Sequence, residues 1–174
     1  MILNDKNLWV AAQRGMVCPF REENLQGSSI DLTLGKHLKV ENDNLAGPLW
    51  VDIEMTDAGY SLKPGEFCLA HTFETITIPD NCSAMVLLRS SAARAGFEHS
   101  LAGWCDPGFS GQLTLELRNN LRNRPLRLAP DMRLCQLVVH RMTDDAANPY
   151  SMKGNYQGQR GVTASTNNFS QEAA

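Results

Sequence analysis

Three groups of residues in this 174-residue chain are of types that can do chemistry. Glu116 lies between Leu115 and Leu117 in an alternating run, so its carboxylate points away from the face shared by Leu113, Leu115 and Leu117. A carboxylate fixed at mid-strand is a candidate proton carrier, although by residue type alone a strand-face glutamate is more often solvated. In the segment Leu88-Arg89-Ser90-Ser91-Ala92-Ala93-Arg94-Ala95-Gly96, a strand ends, two hydroxyls follow and a short helix begins. Free N–H groups at such a start suit a phosphate, and Arg89 adds a guanidinium that grips phosphate oxygens in pairs. The plainer reading is a serine N-cap with surface arginines. The third group, Ala102 to Gly111, holds the turn Asp106-Pro107-Gly108 and leads straight into the Glu116 strand.

Other chemistries lack their residues. No G-x-x-x-x-G-K-[ST] loop and no G-x-G-x-x-G turn occurs. His37, His71, His99 and His140 are far apart, and none belongs to an H-x-E motif followed by P-C-x-x-C, the signature of zinc nucleobase deaminases. The five cysteines (18, 68, 82, 105 and 135) form no Cys-x-x-Cys pair, so they are expected to be reduced core thiols of a cytoplasmic protein.

The elements that must position these groups are mostly strands. Ile30, Leu32 and Leu34 share one face, as do Leu49, Val51, Ile53 and Met55. Period-2 alternation recurs over 73–78, 113–118 and 135–140. Turn signals separate the runs at Lys63-Pro64-Gly65, Pro79-Asp80-Asn81, Asp106-Pro107-Gly108 and Ala129-Pro130-Asp131. Asn4 to Gln13 reads as one helix, capped by Asn4 or Asp5 and stopped by Gly15. A second short helical turn starts at Ser90 or Ser91 and ends at Gly96. The pattern predicts a mainly β fold, a barrel or jelly roll with a little helix at the start. From Ser151 the alternation is lost, and Gly, Gln, Asn, Ser and Thr dominate. That tail is either a disordered end or a flap that orders over a ligand.

Bulk properties narrow the partners. The length fits one domain, 1–174. A formal net charge of −3 gives no field that gathers nucleic acid. Arg118, Arg122, Arg124 and Arg127 lack interleaved aromatics for base stacking, so a solvated hairpin or a subunit contact is the better reading. No apolar run approaches a membrane span, and the first residues do not resemble a signal peptide.

Taken together, five segments in order resemble the trimeric dCTP deaminase branch of the dUTPase superfamily. They are Leu25 to Gly35, Arg89 to Arg94, Ala102 to Gly111, Leu115-Glu116-Leu117 and Tyr156-Gln157-Gly158-Gln159-Arg160-Gly161. The resemblance implies a distorted β-barrel or jelly roll of the dUTPase-like type, with a short N-terminal helix and a mobile lid over about 151–174. It also implies a homotrimer with active sites between subunits. Arg89, Ser90 and Ser91 would hold the triphosphate, and Mg²⁺ would ride on the phosphates, with no zinc. Asp106 would accept from the deoxyribose 3′-hydroxyl, and backbone near Ala102 would read the cytosine edge. Tyr156 and Gln159 would close over sugar and phosphates. Glu116 would take the proton of a water attacking C4 and deliver one to N3 and the leaving amine, with Ser90 and Arg94 orienting that water.

The implied reaction is deamination of dCTP to dUTP and ammonia. Two alternatives stay close. The stretch Ala102-Gly103-Trp104 resembles the bifunctional branch, whose product is dUMP, and plain dUTP diphosphatases resemble the chain around Asp106 and Gly111. The diphosphatases usually carry an aliphatic residue at the Glu116 position. A non-catalytic nucleotide-binding regulator is a third reading, and relatives are inhibited by dTTP. Departures from the family pattern fall at Gly27, Thr33, Leu101, Asn155 (with Lys153 nearby) and Asp131.

Overall fold

A computed structural model describes residues 1–100 and 102–167. In chain order its elements are α1 (Asp5–Gln13), β1 (Val17–Cys18), a 3₁₀ turn (Glu22–Asn24), β2 (Ile30–Thr33), β3 (His37–Glu41), β4 (Trp50–Glu54) and β5 (Tyr60–Leu62). Then come β6 (Phe67–Thr77), β7 (Cys82–Leu88), α2 (Ser90–Ala95), β8 (Phe97–His99), β9 (Trp104–Cys105) and β10 (Ser110–Asn119). The order closes with β11 (Leu126–Leu128), β12 (Arg133–Arg141) and α3 (Tyr150–Lys153).

The strands form two main sheets and a hairpin-like pair, all antiparallel. One sheet runs β4-β3-β6-β10-β8, with β1 also on β6; the other runs β2-β12-β7-β9; β5 pairs with β11. The sheets stay open, so the distorted jelly roll is the form adopted rather than a closed barrel. One apolar core joins them and includes Leu32, Ile76, Val86, Leu115, Leu117, Leu137 and Val139. The core faces of β10 and β12 are the ones the alternation predicts, because a period of two puts Leu113, Leu115 and Leu117 on one side of the pleat.

Local signals place the helices. Asn4 caps α1 by accepting from the Asn7 N–H at 3.1 Å, and Leu8 and Ala12 turn inward. The second helix runs from Ser90 to Ala95 and stops at Gly96 in the left-handed conformation.

Two alternations behave differently from expectation. In β2 both faces are buried, because β2 lies against β12 on one side and crosses β6 on the other. Asp31 and Thr33 are therefore interior. Thr33, a departure from the family pattern, donates from its N–H (3.0 Å) and its Oγ1 (2.7 Å) to the buried Glu74 carboxylate. In β4 the supposed core face splits. Leu49 and Val51 are exposed while Met55 is buried, because β4 is an edge strand with one ladder partner.

Other departures cause little disturbance. The Asp131 turn survives in the left-handed region at φ 65, which a short polar side chain tolerates, and Arg21 pairs with its carboxylate at 2.5 Å. A Cβ on Gly27 would meet open space. Asn155 lies in an exposed turn, and Lys153 is exposed at the end of α3. Leu101 lies outside the described residues.

Candidate active site

A cavity of about 490 Å³ opens beside β10. Much of its wall comes from β10, the turn that leads into it and the tail. From β10 come Leu113, Thr114 and Glu116; from the turn before it come Ala102, Trp104, Asp106 and Phe109; from the tail come Tyr150, Tyr156, Gln159 and Thr163. Five of the residues singled out from sequence therefore meet in one place: Ala102, Asp106, Glu116, Tyr156 and Gln159.

Glu116 reaches the cavity because Leu115 and Leu117 hold the other face of β10 in the core. Its side chain is only 26% exposed, and burial pushes its pKa up, so it holds a proton more tightly than an ordinary carboxylate. Its Oε2 has no hydrogen-bond partner among the described residues. Asp106 is a different acid. It sits exposed at the rim, and its Oδ1 accepts from the Trp104 indole N–H at 3.0 Å. One cavity thus holds a half-buried carboxylate with raised proton affinity and a solvent-exposed carboxylate at its rim.

The approach of β9 to β7 explains one small residue. The Val86 N–H donates to the Gly103 carbonyl at 2.7 Å, and a Cβ on Gly103 would come within 2.1 Å of the Val86 carbonyl oxygen. Only glycine fits that contact without moving a strand.

The tail is docked along its own β10. Gly158 N–H donates to Ser110 O (2.7 Å), Gln112 N–H to Gln159 O (3.0 Å), and Gly161 N–H to Gln112 Oε1 (2.6 Å). Gln159 Nε2 donates to Gln112 O at 2.6 Å. At Gly111 a Cβ would lie 3.0 Å from Gln159 O, so glycine lets the tail lie flat on the strand. Tyr150 packs edge-on against Phe109 with ring centres 5.6 Å apart, and its hydroxyl accepts from the Tyr156 N–H at 3.1 Å. These contacts roof the cavity with residues that sequence periodicity left unassigned. Residues 168–174 of the expected lid lie outside the described residues.

The other four expected residues stand elsewhere. Arg89, Ser90, Ser91 and Arg94 do not line this cavity. Ser90, Ser91 and Arg94 are exposed on α2, and no side-chain hydrogen bond or ion pair of theirs occurs among the described residues. Arg89 forms an ion pair with the buried Asp31 carboxylate, its Nε 3.1 Å from Oδ2. In a single chain the expected residues therefore fall into two separate groups.

Four contributors carry no signal for this site in the sequence reading. Trp50, Phe67 and Leu69 form an apolar wall from β4 and β6. The pairing of β4 with β3, β3 with β6 and β6 with β10 brings them there, and no local signal announces it. His99 stands 3.7 Å from Glu116 and was weighed only as a metal ligand. Among the described residues no three His, Cys, Asp or Glu side chains gather as a metal site.

The model of a family described as dCTP deaminase-like matches residues 2–142. The chain belongs to the dCTP deaminase-like family. A Persephonella marina protein named "dCTP deaminase, dUMP-forming" is 41% identical over 177 residues, covering 95% of this chain and 96% of its own. A Streptomyces coelicolor protein of the same name is 39% identical over 181 residues, covering 95% and 94%. Among solved structures, the 2′-deoxycytidine 5′-triphosphate deaminase of Agrobacterium tumefaciens superposes with a TM-score of 0.64 at 20% identity. The match covers 79% of this chain and 47% of that longer one, and it shows the fold.

Proposed function

We propose that this protein deaminates dCTP and releases dUMP, with both steps in the cavity beside β10. The carrying observation is the pair of unlike carboxylates in that one cavity, Glu116 half-buried and Asp106 solvated. The names of the two relatives favour the dUMP-releasing reading over release of dUTP, and the Ala102-Gly103-Trp104 stretch belongs to the same reading.

Water adds to C4 of the cytosine as Glu116 takes its proton. Burial suits Glu116 to this, because a carboxylate with raised proton affinity is a stronger base. Glu116 passes that proton to N3, then takes the proton of the new C4 hydroxyl and gives it to the amine, which leaves as ammonia as the C4 carbonyl of uracil forms. Backbone at Ala102 lies at the cavity wall, where it can read the base edge. Asp106 accepts from the 3′-hydroxyl and, in the second step, activates a water against the α-phosphate. Hydrolysis there gives dUMP and pyrophosphate. Tyr156 and Gln159 cover sugar and phosphates and keep bulk water out.

The remaining residues reach the site from a neighbouring copy. Arg89, Ser90 and Ser91 hold phosphates, and Ser90 and Arg94 orient the attacking water. The exposure of Ser90, Ser91 and Arg94 in one chain supports a homotrimer whose sites straddle subunits. Mg²⁺ arrives on the triphosphate, where water and phosphate oxygens supply most of its ligands. When bound, Mg²⁺ neutralises phosphate charge; deamination itself needs no zinc. Five free cysteines, four of them buried, fit a reducing cytoplasm, and among the described residues no helix is long and apolar enough to cross a membrane.

Incubation with dCTP and Mg²⁺, followed by separation of nucleotides and pyrophosphate, tests the proposal. dUMP, pyrophosphate and ammonia in equal amounts are expected. dUTP as the end product would leave a simple deaminase, and unchanged dCTP would leave a regulator.

A further inference from the structure

His99 ends β8, the strand next to β10, and its ladder partner is Leu117, one residue beyond Glu116. Its side chain is 5% exposed. The Nε2 of His99 and the Oε2 of Glu116 are both buried, both lack a hydrogen-bond partner, and lie 3.7 Å apart. They are the unpartnered buried side-chain atoms among the described residues. Folded proteins rarely leave such atoms unpaired, so two that face each other mark a bond made in another state of the molecule. Hydrogen bonds of a working site are often long in the free protein and tighten when the substrate is in place.

We propose that His99 is a positioning residue for Glu116, its Nε2–H donating to Oε2 in the nucleotide complex and leaving Oε1 turned to the attacking water. The inference rests on the reading of Glu116 as proton carrier and adds how that carboxylate is aimed. A neutral ring is the form its surroundings favour. Burial pushes the His99 pKa down, against a weaker upward pull from Glu98. A charged imidazolium would pair with Glu116 as an ion and weaken it as a base. A neutral N–H donor orients the carboxylate at a smaller cost to its basicity. With one oxygen held, the other has a single direction in which to accept the proton, which is the advantage of a fixed rotamer over a swinging one.

The test uses two variants and the unaltered protein. His99→Phe keeps a flat ring and removes the donor; His99→Gln puts an amide N–H near the position of Nε2. Loss of an orienting group of this kind costs activity about 10- to 100-fold. His99→Phe is expected to lose kcat by that factor with KM for dCTP unchanged, and His99→Gln to recover most of it. Wild-type kcat in His99→Phe, or equal losses in the two folded variants, would overturn the proposal. Glu116→Gln is assayed alongside. If it turns over normally, the reading of Glu116 fails; if it is inactive while His99→Phe is fully active, only the role of His99 fails. Nitrogen NMR of the wild-type protein labelled in histidine, free and saturated with dUMP, needs no variant to fold. A neutral His99 ring protonated at Nε2 is expected, and a bare Nε2 or a doubly protonated ring would overturn the proposal.

Discussion

Glu116→Gln separates the chemical role of this residue from its structural cost. The amide keeps the shape of the side chain and loses the proton-accepting oxygen. Proton transfer by one positioned group is worth about 10²- to 10⁴-fold in rate, or about 3–5 kcal/mol of barrier. Glu116 serves both the addition of water and the departure of ammonia, so the upper end of that range is expected for kcat. Binding of dCTP should persist, because the phosphates and sugar are held by other residues. Stability should move the other way. Burial raises the affinity of Glu116 for its proton, and Oε2 has no partner. The folded chain therefore binds more protons than the unfolded chain between the two pKa values. Its contribution is fully present below the unfolded value and is lost as pH rises through the folded value. At neutral and higher pH, the substitution removes an unpartnered charge. An unsatisfied buried group costs about 1–3 kcal/mol, and the lower end applies because the side chain is 26% exposed. A gain of about 1 kcal/mol corresponds to a rise in Tm of about 2–4 °C for a chain of this length. At about pH 4, below the ordinary glutamate value, the gain should vanish. The assays are a dCTP turnover curve, equilibrium binding, and thermal unfolding at two pH values. Undiminished turnover, or a lower Tm at high pH, would refute the reasoning.

Four further outcomes follow from the same geometry. Ser90→Ala and Glu116→Gln subunits, each inactive alone, should regain about a quarter of wild-type activity when equal amounts are refolded together, because that fraction of straddling sites draws both intact residues; no recovery would put Ser90 and Glu116 in the same subunit's site. Ending the chain at Asn155 removes Tyr156 and Gln159, and should raise KM and lower kcat together in steady-state assays; unchanged kinetics would show that the tail is no lid. Gly103→Ala forces a Cβ toward the Val86 carbonyl and should lower stability by about 1–3 kcal/mol in denaturant titrations; wild-type stability would mean that β7 and β9 separate freely. A zinc-specific chelator should leave dCTP turnover intact when Mg²⁺ is kept in excess, and loss restored by zinc would contradict the metal-independent step.

Much of the site was legible because it sits on local patterns. The alternation around Glu116 set which way the acid points, and the turn at Asp106 set where the strand begins. The helix start at Ser90 and its stop at Gly96 were likewise written in adjacent residues. What was not legible depends on distance along the chain. Trp50, Phe67 and Leu69 reach the cavity only through the pairing of β4, β3, β6 and β10. Period-2 reasoning put Leu49, Val51, Ile53 and Met55 on one face, but in an edge strand that face is only partly covered, and Val51 is exposed. The tail shows no periodicity because it is held by Gln112, Gln157 and Gln159 amides and by backbone bonds to β10 rather than by an apolar stripe. His99 stands just before Ala102 in the sequence, yet weighing histidines only as metal ligands hid its approach to Glu116.

The most direct test of the central claim follows labelled dCTP in the presence of Mg²⁺ and a pool of unlabelled dUTP. One cavity that performs both steps should pass label to dUMP and pyrophosphate while the dUTP pool stays unlabelled. Label accumulating in dUTP would contradict the claim that both steps occur in the cavity beside β10.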